Sequence, residues 1–230
     1  MAGQGVTRRR VRQLLEAEDF AASLQELTSL PPEPTLKQLQ AGLPAAQPIM
    51  KWRAVTALGQ VVRGLAARDL EPAREFVRRL LWCLNEESGA VPWGVAEALG
   101  EISANSPELA REYANLLTSY IWPQGNFIEF GPLLSGAVWG VGRLASVHPE
   151  LARGCCALER LAQLLEWPDP AVRGMAAWAL GWLGDAEALE PLGRMAEDTA
   201  VVELWDSGEL RRATVAELAT EAIEKISNTI

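Results

Sequence analysis

Along most of this chain apolar residues recur at intervals of three and four, the spacing that lines one face of an α-helix. Val172, Ala176, Ala179, Leu180 and Leu183, for example, share one stripe. Broken by prolines and glycines, this periodicity predicts paired helices at 34–43 with 49–66, 69–84 with 91–104, 107–121 with 132–146, 150–166 with 170–183, and 186–197 with 208–227. Pro72, Pro107 and Pro149 fall in first turns, where a missing N–H is harmless, with Asp69 and Ser106 placed as caps. One or two more helices are expected before Pro31, and Pro31–Pro34 reads as a stiff connector. No β-strand domain is expected.

The second helix of each pair carries a repeated block. Its copies are Trp52–Gly59 (WRAVTALG), Trp93–Gly100 (WGVAEALG), Ser135–Gly142 (SGAVWGVG), Gly174–Gly181 (GMAAWALG) and, more faintly, Arg212–Ala219 (RATVAELA). Their last residues lie 41, 42, 39 and 38 positions apart. The first helices repeat too: PELAR at 107–111 returns at 149–153. A period near 40 marks stacked helical pairs, none of which buries its apolar face alone. The expected architecture is an all-α, right-handed α-solenoid of about five pairs. Residues 1–48 supply capping helices and the first outer helix, and residues 49–227 the repeats, continuous with them as one domain.

Composition narrows the chemistry. The formal charge is −9, and from Asp185 onward eleven carboxylates face four bases. Such a chain repels phosphate backbones, which disfavours nucleic acid. The basic run Arg8–Arg10 with Arg12 reads as a solvated amino terminus. No apolar stretch approaches the roughly 18 residues of a membrane span, and no signal-peptide pattern follows the arginines, so a cytoplasmic protein is expected. Cys83, Cys155 and Cys156 form no C-x-x-C pair and His148 is the single histidine, so no metal or cofactor is expected.

The stretch Asp169–Asp185, DPAVRGMAAWALGWLGD, resembles a HEAT repeat of the short bacterial type also found in phycobilisome lyases. The other copies depart: Pro92 stands in the place of Arg173, valine precedes Gly142, and Ala219 replaces the glycine. The resemblance spans about residues 50–225. It implies a fold rather than a function, since such repeats serve scaffolds, chaperones, lyases and DNA glycosylases.

In proteins of this resemblance the helix bearing the block lines a concave face, which would present Trp52, Arg53, Trp93, Glu97, Glu101, Trp139, Arg143, Trp178 and Trp182 to a groove. Tryptophans seven or three residues before the terminal glycine share a face, and aromatic and arginine side chains are common binding hot spots. Glu86 and Glu87 lie in a loop leading to Trp93 and join the candidate set. A second series, Trp82, Trp122, Trp167 and Trp205, recurs at 40, 45 and 38 and reads as a structural ladder. No nucleophile elbow, phosphate loop or metal-ligand spacing is present. The expectation is a non-catalytic module binding a protein or peptide along a tryptophan-lined groove. The alternatives are a small-molecule or chromophore lyase or chaperone-like protein, and a HEAT-like DNA glycosylase, which the charge disfavours.

Overall fold

The computed structural model describes residues 6–85 and 91–229. The chain forms two compact units, residues 1–106 and 107–230.

In the first unit two helices, α1 (Arg8–Glu16) and α2 (Phe20–Ser29), precede Pro31, where one or two are expected. Thr7 and Asp19 cap them by accepting from the backbone N–H groups of Arg10 and Ala22. Two pairs follow: α3 (Pro32–Gln40) with α4 (Pro48–Ala66), and α5 (Leu70–Asn85) with α6 (Val95–Asn105). Helix α5 buries the stripe Ala73, Phe76, Val77, Leu80 and Leu81. Helix α6 is different, because every residue from Val95 to Ala104 is buried.

The second unit opens with α7 (Pro107–Ser119) and α8 (Gly131–Ala145). The next outer helix is split into α9 (Pro149–Gly154) and α10 (Ala157–Leu164), where Cys156 adopts a left-handed φ of 56°. Helix α11 (Pro170–Leu183) then explains the Asp169–Asp185 motif residue by residue. Asp169 caps the helix by accepting from the Ala171 N–H at 2.8 Å. Arg173 donates to the carbonyls of Trp167 and Pro168 and to Asp198 Oδ2 at 2.7 Å. Gly184 ends the helix at φ 70°, and Asp185 caps the 3-10 turn that follows.

The expected fifth pair needs correction. After the short α12 (Leu189–Gly193) the chain forms an antiparallel hairpin, β1 (Val201–Asp206) with β2 (Glu209–Thr214), and α13 starts only at Val215 and runs to Ser227. Ser207 and Gly208 make the two-residue turn, both at positive φ (53° and 86°), which suits the twist of paired strands. Val202 and Leu204 point inward while Val201 and Glu203 do not. Thr214 and Glu217 close a reciprocal capping box that fixes where α13 begins.

The terminal glycines of the repeated block mark where successive helices touch. A Cβ on Gly59 would lie 2.6 Å from Glu101 Cγ, one on Gly142 2.5 Å from the Trp178 ring, and one on Gly181 2.8 Å from the Ala222 Cα. In each unit, therefore, the motif glycine is a packing contact within a continuing helix.

Candidate functional site

The nine tryptophans divide sharply by accessibility. Trp82 is 68% exposed and Trp93 39%, whereas the other seven are buried or half-buried. The two exposed indoles come from different expected series and flank one cleft of about 430 Å³ in the first unit. Arg79, Trp82 and Cys83 reach it from one face of α5, at i, i+3 and i+4. Val91, Pro92, Trp93 and Val95 line it from the start of α6, and Gln40, Leu43 and Pro44 from the end of α3. Leu43 and Val95 are themselves buried. The Gln40 amide donates to Cys83 Sγ at 3.7 Å. The Arg79 guanidinium is about half exposed, with Glu75 at 3.9 Å.

Most of the expected groove residues have other roles. Trp52 is buried, with the Lys51 ammonium 4.3 Å above its ring. Lys51 also meets the buried Glu97 carboxylate at 3.0 Å. Glu101, buried one turn later, accepts from the Asn105 amide at 2.8 Å, and Asn105 accepts from Gln60. Arg53 donates to the carbonyls of Leu15 and Ala17, stapling the end of α1, and lies over the Phe20 ring.

In the second unit Trp139 is only 1% exposed. Its indole N–H donates to the Trp205 carbonyl at 2.8 Å, and its ring stacks on Trp178 at 6.0 Å and 5°. Trp178, also buried, meets the half-buried Trp182 edge-on, and Lys225 covers Trp182 at 3.1 Å. Burial holds the Lys225 pKa below lysine's ordinary value, with Asp206 and Glu221 pulling the other way. Arg143 is half-buried and donates to Ser146 Oγ. Trp52, Trp139, Trp178, Glu97 and Glu101 are thus core residues, a correction to their expected solvent-facing placement. The physical cause in the second unit is the hairpin: β1 sets Val202 into the space left by Gly174 and brings the Trp205 carbonyl to Trp139, occupying the side a groove would need. Glu86 and Glu87 lie outside the described residues.

Of the expected ladder, Trp205 is buried and Trp122 and Trp167 are half-buried. Trp122 packs under the Arg160 guanidinium and Trp167 against the edge of Phe127. Trp82 departs from it. One signal marked Trp82: it lies off the apolar stripe that α5 buries, one residue past Leu81.

Among the described residues no three His, Cys, Asp or Glu side chains gather as metal ligands, and no helix is long and apolar enough to cross a membrane. His148 is half-buried with its Nε2 unbonded, and burial, then Arg111 and Arg143, hold its pKa below the ordinary imidazole value.

Residues 135–205 match the family model of HEAT repeats. An uncharacterised protein of Archaeoglobus fulgidus is 27% identical over 180 residues, covering 76% of this chain and 88% of its own. Among solved structures, an engineered protein aligns over 96% of both chains with a TM-score of 0.53 and 20% identity. A designed armadillo repeat protein, in complex with the peptide (KR)4, aligns over 95% of this chain and 98% of its own, with a TM-score of 0.54 and 20% identity. The fold is that of the all-α repeat solenoids, interrupted among the described residues by one hairpin.

Proposed function

We propose that this chain is a non-catalytic module that binds a protein or peptide, and that the Trp82–Trp93 cleft is its contact surface. The observation that carries the reading is the placement of the two exposed indoles on one cleft, in a protein that shields its other seven. Tryptophan and arginine dominate binding hot spots because they offer large area at small conformational cost. Trp82, Trp93 and Arg79 supply both types. Repeat folds of this class are typical interaction scaffolds, and a designed neighbour of similar fold holds a peptide. The three unpaired cysteines suit a cytoplasmic setting.

A small molecule or chromophore is the second reading. It is favoured by the cleft's volume, which falls in the roughly 300–1,000 Å³ range of ligand pockets. The glycosylase reading loses support because Arg53 and Arg143 are engaged within the protein. The test is affinity capture on wild type and on the Trp82→Ala/Trp93→Ala variant, with bound proteins and small molecules both identified. A protein retained only by wild type supports the proposal, and a small molecule retained only by wild type replaces it with the second reading. Identical recoveries from the two would sink both.

A further inference from the structure

The cleft also carries information about what it receives. The chain's whole negative charge lies in its second unit: residues 1–106 hold twelve Lys and Arg against twelve Asp and Glu, and residues 107–230 nine against eighteen. Within the neutral first unit, the one charged side chain among the described residues that line the Trp82–Trp93 cleft is Arg79, whose nearest described carboxylate is Glu75 at 3.9 Å, beyond hydrogen-bonding range. A second cleft of about 420 Å³ lies across the turn at 41–47, and Pro44 lines both. Its charged residues are Arg8, Arg12 and Glu16, and Glu16 already accepts from Arg12 Nε at 2.7 Å. Among the described residues the two adjoining clefts therefore combine apolar floors with three arginines and a single carboxylate, Glu16, which is paired with Arg12.

Resting on the peptide-binding reading above, we infer that the partner segment is an extended acidic–apolar peptide. An aromatic or long aliphatic side chain sits between Trp82 and Trp93. A neighbouring carboxylate meets Arg79, and further carboxylates pass Pro44 towards Arg8 and Arg12. Arginine suits this role because its planar fork accepts a carboxylate in two parallel hydrogen bonds. A basic segment such as (KR)4 would instead meet like charge on both sides of the turn, which disfavours it.

The test is selection of a random dodecapeptide display library on the full-length protein, followed by titration of the enriched peptides in low and high salt. The inference expects sequences pairing an aromatic or aliphatic residue with adjacent Asp or Glu. It expects Arg79→Glu to weaken them about three- to tenfold, and added salt to weaken them as well. Unfolding midpoints of Arg79→Glu and of Trp82→Ala/Trp93→Ala, measured alongside, show that each variant folds. Enrichment of basic or uncharged peptides that still require Trp82 and Trp93 overturns the acidic chemistry and leaves the cleft reading intact. If no enriched peptide depends on the two tryptophans, the cleft reading falls and this inference with it. Self-association of the protein that Trp82→Ala abolishes also overturns it, in favour of a second copy as occupant.

Discussion

The two units treat the same residue in opposite ways. The first has three tryptophans, buries one and offers Trp82 and Trp93 to solvent beside a cleft. The second has six and exposes none of them: Trp139, Trp178 and Trp205 are buried, and Trp122, Trp167 and Trp182 are half-buried under Arg160, Phe127 and Lys225. Charge divides in the same way, zero in the first unit and −9 in the second. A tryptophan's period along the chain therefore gives its place on a helix, while its environment is set by what is packed over that helix. For Trp139 that cover is the hairpin.

The largest expected effect separates the two sets of indoles. Trp139→Ala or Trp178→Ala removes a buried ring and its stacking partner's contact, and should destabilise by about 3–5 kcal/mol in urea unfolding. Trp82→Ala should stay within about 0.5 kcal/mol of wild type, as expected of an exposed site. A large loss from Trp82→Ala would erase the contrast.

Next come the glycines. Gly181→Ala places a methyl 2.8 Å from the Ala222 backbone, which cannot swing aside, so a loss of about 1–3 kcal/mol is expected. Gly64→Ala on α4 meets nothing within 4 Å and should stabilise slightly. Equal effects at the two sites would show that the helix contact is looser than described.

Asp198 sharpens the account of the second unit's polar ties. The Arg173 hydrogen bond holds its carboxyl below the ordinary value of 3.8, so the ion pair's stabilisation is complete above that pH and is lost as pH falls through the lower folded-state value. Asp198→Asn should cost about 1–3 kcal/mol at neutral pH and flatten the acid limb of the stability curve. An unchanged acid limb would place the acid sensitivity elsewhere. His148 gives the smallest effect. Its folded-state pKa lies below 6.5, so the folded protein resists protonation, and stability declines as pH falls below about 6.5. His148→Asn should remove that small slope from unfolding curves between pH 7 and 5.

The paired helices were legible because proline, caps and period agree at each boundary, and Asp169–Asp185 was legible down to single residues. The hairpin was not. Val215, Leu218, Ala219 and Ala222 form a helical stripe whose start the apolar pattern does not mark, and only Ser207–Gly208 hints at a turn. The hairpin covers Trp139, and Trp178 is core because it stacks on Trp139 and meets Trp182 edge-on. A warning did stand in the sequence: Arg143 is the single charged residue of α8 and Arg173 that of α11, and helices so poor in charge are usually buried all round. Trp93, first residue of its block, is exposed. The 40-residue spacing of Trp82 and Trp122 suggests a ladder, although the position of Trp82 off the α5 stripe points outward.

In the proposed function the Trp82–Trp93 cleft is a working surface separable from the fold. The most direct measurement is the affinity of a display-selected peptide for wild type and for Trp82→Ala/Trp93→Ala, with unfolding curves of both. The variant should bind at least about tenfold more weakly with an unchanged unfolding midpoint. Equal affinities, or weaker binding accompanied by an equally large loss of stability, would contradict it.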